Sequence, residues 1–221
     1  MATRFYTDPI NAPSVSPAYD AGWDETAAAV RRKLVIDTAG NNGSVVGIDT
    51  DTIAAAGTYL LWQFVSEPMD AATYWFTDIK VNFRCAEENA KLNGFLRYVI
   101  GKCDEDGGNR TSYDSYNDNV EFLDDYDTIF QSRNIYRAGS TIAFNQGDRL
   151  VVDVGFYSSA TKAGGYIGAV VATDNHATDD LPVNDTETAA YNSWIETGAT
   201  FTEASGDPPE VVKFGPMFTF A

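Results

Sequence analysis

Apolar and polar side chains alternate most regularly between Gly147 and Tyr157, in the run GDRLVVDVGFY. Leu150, Val152, Val154 and Phe156 fall on one set of positions, and Arg149, Asp153 and Tyr157 fall between them. A period of two predicts a strand with one face in a core and one toward water. Gly147-Asp148 before it is a turn signal, and Ser158, Ser159 and Gly164 loosen the chain after it. A second alternating run spans Tyr74 to Ala86, with Trp75, Ile79, Val81, Phe83 and Cys85 on one face and Asp78, Lys80, Asn82 and Arg84 on the other. Glu87 to Lys91 turns the chain and Leu92 to Cys103 returns it, which predicts a neighbouring antiparallel pair. Weaker runs predict strands over 30–37, 44–48, 58–66 and 165–173, and a short strand and turn within 129–142.

The count is about nine or ten strands of ordinary length, with no convincing long helix. The expected fold is therefore all-β, a two-sheet antiparallel sandwich with jelly-roll-like topology. Residues 104–128 and 174–192 are polar and predict two long loops. Pro9, Pro13 and Pro17 make residues 1–22 an extended N-terminal arm, either a strap across its own domain or a tether to a neighbour. The expected division is thus an arm at 1–22, a sandwich domain at 23–196 and a C-terminal arm or strand at 197–221.

Composition narrows the function more than it identifies it. The 221 residues carry 15 Lys and Arg against 32 Asp and Glu, a formal net charge of −17. That balance argues against binding a phosphate backbone or an anionic membrane, both of which need clustered cations. Met1 to Pro17 has no apolar stretch of signal-peptide type, and no window is long and apolar enough for a membrane span. Synthesis in a cytoplasm is expected. Cys85 and Cys103 both lie in strand-like runs and read as buried free thiols.

Candidate chemistry is sparse. Asp104, Asp106 and Asn109, in DEDGGN, offer hard oxygens around a tight turn, which suits calcium. The same residues also suit a plain hairpin turn, since no Glu occupies the twelfth position of the loop. Asp124, Asp125 and Asp127 could complete such a site. Tyr113, Tyr116 and Tyr126 stand among Asp and Asn, a mixture that fits carbohydrate recognition or simple packing of the loop. The lone His176 has no Gly-x-Ser-x-Gly nucleophile elbow to serve, and phosphate-loop, zinc and dinucleotide patterns are missing. No enzymatic activity is expected on these grounds. Phe5 and Tyr6 at one end, and Phe214, Phe218 and Phe220 at the other, are candidate assembly contacts.

Four stretches together resemble small virion proteins of tailed bacteriophages. They are MATRFYTDPINAPSVSPAYDAGW at the start, FVSEPM with IKVNFRCAEEN in the middle, GDRLVVDVG, and DDLP followed by DTET and NSWIE. The likeness covers residues 1–196 in pieces and brings no catalytic set. Residues 104–128 and the tail after Glu196 depart from it. The resemblance implies a jelly-roll-like decoration or accessory protein on the phage head, with a tail-associated position or a host-glycan-binding module as alternatives. It implies a homo-oligomer, a trimer by preference, residing in the virion and contacting major capsid or tail proteins, with host surface glycans as the partner in the glycan-binding alternative. It implies no cofactor; calcium is a candidate only through the Asp104, Asp106 and Asn109 turn.

Overall fold

The computed structural model describes residues 3–36, 46–49, 55–75, 79–87, 91–122, 130–137, 141–159, 168–172, 186–187, 193–198 and 200–201. These are strands and their connections, with no helix among the described residues. In chain order the strands are β1 (Thr3–Asp8), β2 (Val30–Val35), β3 (Val46–Asp49), β4 (Gly57–Ser66), β5 (Ala72–Trp75), β6 (Ile79–Glu87) and β7 (Gly94–Cys103). They continue as β8 (Thr111–Asn117), β9 (Phe130–Arg137), β10 (Thr141–Phe144), β11 (Arg149–Ser158), β12 (Gly168–Ala172), β13 (Thr186–Glu187) and β14 (Trp194–Thr197). The protein is all-β, as its alternation predicts.

The arrangement departs from two separate antiparallel sheets. Twelve strands form one sheet, in the order β13-β9-β6-β14-β1-β2-β4-β11-β7-β8, with β12 joining β6 to β3; β5 and β10 make a separate ribbon. The sheet is mixed, because β2 runs parallel to β4 from Val30 opposite Trp62 to Leu34 opposite Ser66. The sheet also curls strongly. Phe64 of β4 and Phe83 of β6 have ring centroids 5.7 Å apart, although β14, β1 and β2 lie between those strands. In a flat sheet four strand spacings would separate them by about 19 Å. The indole Nε1 of Trp62 closes the same gap, donating to the carbonyl of Val170 on β12 at 2.7 Å. The two halves therefore face each other across one core that includes Trp62, Phe64, Phe83, Leu96, Tyr98, Val152 and Phe156.

The N-terminal strand is the seam of this curl. β1 pairs with β14, Phe5 opposite Ile195, and on its other edge with β2, Thr7 opposite Leu34. Phe5 is wholly buried and meets Phe201 edge-on, with centroids 5.2 Å apart. Its ring is consumed by the chain's own core, and Tyr6, next to it, is half-buried.

Three further expectations are corrected. β6 and β7 do not pair: β6 lies beside β9, β14 and β12, and β7 beside β11 and β8. The connection between them crosses from one half of the curl to the other, anchored by buried Leu92 and by Glu87, whose Oε2 accepts the Gly94 N–H at 2.9 Å. The stretch 104–128 is not one irregular loop, because Thr111–Asn117 forms β8 along β7. Its polar residues hid it: β8 has no alternation of apolar and polar positions. Finally, β11 has no face toward water. Arg149 is buried with its guanidinium on the Glu105 and Ser66 carbonyls, and Asp153 is wholly buried because a second layer of chain lies over it.

That layer is the segment after β1. Asp8 accepts the N–H groups of Ile10 and Asn11 and turns the chain. Val15 then packs on Val65, Cys103 and Val151, while Tyr19, Trp23 and Ala29 pack on Leu60 and Val99. Asp24 and Glu25 donate their N–H groups to the Thr58 carbonyl at 3.1 and 3.0 Å. The N-terminal segment is thus a strap across its own body. Cys85 and Cys103 are buried free thiols, and burial pushes the Cys103 thiol up to about 11.

Candidate functional site

The strap lies over a buried charged cluster on the outer face of β4, β11, β7 and β8. Asp153 sits at its centre. β11 pairs with β4 on one side, setting Asp153 opposite Gln63, and with β7 on the other. The Asp153 carboxylate is fully buried and lies 2.9 Å from Arg110 Nη2. It also accepts the Asp20 N–H at 3.0 Å and the Gln63 side-chain amide at 3.0 Å. Gln63 Nε2 reaches the Ala18 carbonyl at 3.2 Å, and Gln63 Oε1 accepts Arg31 Nε at 2.8 Å. Arg31 continues to the Pro17 carbonyl at 3.1 Å and stacks over Tyr19, 4.0 Å from the ring centroid. One strand carboxylate therefore pins residues 17–20 through both backbone and side chains.

The electrostatics follow from burial. Desolvation pushes the Asp153 carboxyl above the usual carboxylate range, against the pull of Arg110 and of the bonds from Asp20 and Gln63. The Arg110 side chain is itself only 5% exposed. It has a second carboxylate, Asp20, 3.6 Å from Nη1, and Asp20 in turn accepts the hydroxyl of Ser112.

Two adjoining depressions open where the strap meets β8. One, of about 290 Å³, is lined by Asp20, Val99, Ser112, Tyr113, Asp114 and Ser115. The other, of about 300 Å³, is lined by Ala18, Tyr19, Asp20, Ala21, Arg110 and Ser112. A bulge in β8 borders the first of them. Ile100 lies opposite Asp114 and Gly101 opposite Ser112, so Tyr113 is the extra residue. Gly101 permits this approach, since a Cβ there would stand 2.4 Å from the Thr111 carbonyl oxygen.

The residues singled out from sequence are placed apart. Tyr113 and Tyr116 both pack on the main core, Tyr116 with its ring 6.2 Å from that of Tyr98, and Tyr113 also borders the first depression. Tyr126 lies outside the described residues, as do His176, Phe214, Phe218, Phe220, Asp124, Asp125 and Asp127. Asp104, Asp106 and Asn109 form a hairpin turn that uses their polar atoms locally. Asn109 donates to Asp104 at 2.6 Å, and Asp106 accepts the Gly108 N–H at 2.8 Å. Gly107 and Asn109 take the positive φ values that the turn requires, +89° and +47°. Among the described residues, no three His, Cys, Asp or Glu side chains converge as metal ligands. Asp20, Arg110 and Asp153 form no functional pattern in the sequence. A lone Asp inside an apolar strand was the available signal for the last of these.

No protein-family model matches the chain, and no curated protein matches it. Solved structures do. An α-amino acid ester hydrolase matches with a TM-score of 0.51 at 9% identity, over 90% of this chain and 36% of that one. A CocE/NonD family hydrolase from Staphylococcus aureus matches with a TM-score of 0.50 at 11% identity, over 89% of this chain and 36% of that one. The chain thus spans about a third of the length of each. These neighbours correct the expectation that the chain has no enzymatic activity: a similar fold occurs within two hydrolases, so the fold gives no ground for excluding turnover. At this identity the likeness is one of fold, and it assigns no reaction here.

Proposed function

We propose that the chain is a structural accessory subunit of a tailed-phage particle, made in the host cytoplasm and incorporated on the virion head as a homo-oligomer, with a trimer preferred. In this reading the curled sheet closes as a jelly-roll-like sandwich and presents its outer surface to neighbouring coat subunits. The observation that carries the proposal is the locking of the N-terminal segment onto its own body. Phe5 is in the core, and the strap is fastened through Asp153 to Asp20. The result is a stiff, self-contained block, which suits repeated placement in a shell. The resemblance of its N-terminal and central stretches to small virion proteins supports the same reading, and a net charge of −17 favours repulsion between free copies.

Because Phe5 serves the core, intersubunit contact falls to other apolar residues. Phe214, Phe218 and Phe220 are the aromatic set the sequence offers, and a stable contact of about 1,200–2,000 Å² is the area such a subunit has to bury. The test is a reconstruction of purified particles together with a chain truncated after residue 201. Density for the chain on the particle, and loss of attachment by a truncated chain that still unfolds cooperatively, is the expected result. Absence of the chain from purified particles overturns the proposal. A tail-associated position would appear as density at the tail alone.

A further inference from the structure

We infer that residues 12–23 form a strap hinged at both ends, which swings off the sheet as one unit while the body beneath stays folded. Closed is the resting form, and the device stands wherever the protein resides. Both hinges are backbone bonds. At one end the Asn11 carbonyl accepts the Lys33 N–H at 3.0 Å. At the other, Asp24 and Glu25 donate to the Thr58 carbonyl, and the Glu25 carbonyl accepts the Leu60 N–H at 2.9 Å. Between the hinges no backbone–backbone bond joins the strap to the rest of the described residues. Side chains fasten it there: Asp153 on the Asp20 N–H, Gln63 on the Ala18 carbonyl, Arg31 on the Pro17 carbonyl, and Thr58 on the Gly22 carbonyl at 3.1 Å. The sheet below needs none of these bonds, because β11 is paired along β4 on one edge and along β7 on the other.

The closed strap leaves polar groups unanswered. Trp23 Nε1, Arg97 Nε and Arg110 Nε are buried N–H donors with no acceptor among the described residues. All three lie at the strap. Trp23 ends it, Arg97 lies over the Trp23 ring and donates through Nη2 to the Gly22 carbonyl, and Arg110 faces Asp20. A buried donor without an acceptor is destabilising, and opening admits water to each of them. The same step rehydrates the Asp153–Arg110 pair, whose desolvation also opposes closure. Along β8 the strap's edge leaves the two depressions of about 290 and 300 Å³. What holds the strap down is a small apolar area: Val15 on Val65, Cys103 and Val151, and Tyr19 and Trp23 on Leu60 and Val99. A segment with few apolar contacts opens at less than the free energy of global unfolding. Two thiols report the difference. Cys103 lies under Val15 with its thiol pushed up to about 11 by burial, whereas Cys85 lies in the main core.

The test uses two full-length single-thiol chains: Cys85→Ala, which keeps Cys103, and Cys103→Ala, which keeps Cys85. Each is treated with an aromatic disulfide reagent at a series of urea concentrations below the unfolding transition. Cys103 should react at least about tenfold faster than Cys85, at a rate nearly flat in urea, because local opening exposes little surface. Cys85 should react only through global unfolding, with its full urea dependence. Arg31→Ala should speed the Cys103 reaction about tenfold, since it removes the charged bond to Pro17 and the stack on Tyr19. Phe83→Leu, in the facing half of the core, should speed Cys85 and leave Cys103 unchanged. Hydrogen exchange repeats the comparison in the unaltered chain, where the Asp20 amide should exchange through an opening flat in urea and the β11 amides through global unfolding. Equal rates and urea dependence for the two thiols, an Asp20 amide as protected as those of β11, or a Cys103 rate unmoved by Arg31→Ala in a folded chain would each overturn the inference.

Discussion

The carboxylate of Asp153 on β11 holds the guanidinium of Arg110 at 2.9 Å, with both side chains buried beneath the N-terminal strap. Neither group would sit there alone. Isolated burial of either charge costs several kcal/mol, and the pair is tolerated because Asp20 and Gln63 complete the carboxylate's bonds. Asp153→Ala should therefore destabilise the fold by about 3 kcal/mol, since it leaves Arg110 buried with only the more distant Asp20. Changing both residues, Asp153→Leu with Arg110→Met, should recover most of that loss. Urea unfolding of the two single variants and the double variant measures the coupling. Equal losses that simply add would show that the pair is not a unit.

Acid sensitivity should come from a different carboxylate. Glu196 lies between Lys80 at 2.7 Å and Arg4 at 2.6 Å. Burial works to raise its carboxyl, but the bonds from Lys80 and Arg4 outweigh it and hold the group below the ordinary glutamate range. A lowered value in the fold gives stability that is present above the unfolded value, about 4.3, and lost as pH falls through the folded one. Asp153 has the opposite sign. Its value is raised by burial, so its contribution is complete below the unfolded value and declines as pH rises through the raised one. Glu196→Gln should flatten the acid limb of a stability–pH profile, and Asp153→Asn should flatten the decline on the other side. An unchanged acid limb in Glu196→Gln would remove Glu196 from the account.

Much of this architecture was legible in the chain, and the limits are physical. Alternation located β4, β6, β7 and β11 because each carries a bulky apolar set on one face, such as Leu150, Val152, Val154 and Phe156. Alternation says nothing about partners. β6 and β7 are consecutive and aromatic-rich, yet they lie in opposite halves of the curl, and only the buried Glu87–Gly94 bond hints at the crossing. β8 was hidden because TSYDSYN has no apolar face of its own and is held by pairing with β7. The strap site was hidden for a related reason: Asp20, Arg110 and Asp153 are far apart in sequence, and although Asp153 stands alone in an apolar strand, nothing in the chain pairs it with the other two.

Two glycines mark places where the sheet requires the absence of a side chain. At Gly155 a Cβ would stand 2.0 Å from the Tyr59 carbonyl oxygen, where the β11–β4 register shifts. At Gly101 it would meet the Thr111 oxygen at the β8 bulge. Both obstacles are backbone, so neither can swing away. Gly155→Ala and Gly101→Ala should each cost about 1–3 kcal/mol, the range of overpacking, read as a lowered thermal midpoint.

Trp62 offers the most direct test of the curl itself. Its indole Nε1 donates to the Val170 carbonyl at 2.7 Å from the facing half of the sheet, and its ring stacks on Phe64 at 5.7 Å. Trp62→Phe keeps an aromatic ring in the core but removes the donor and leaves a buried carbonyl short of its partner. The expected loss is about 1–2 kcal/mol, with a faster-exchanging backbone over β12 and little change over β7 and β11. Hydrogen exchange distinguishes the outcomes. Uniform acceleration across every strand would mean that Trp62 contributes only bulk, whereas acceleration concentrated on β12 means that this one bond fastens the two halves together.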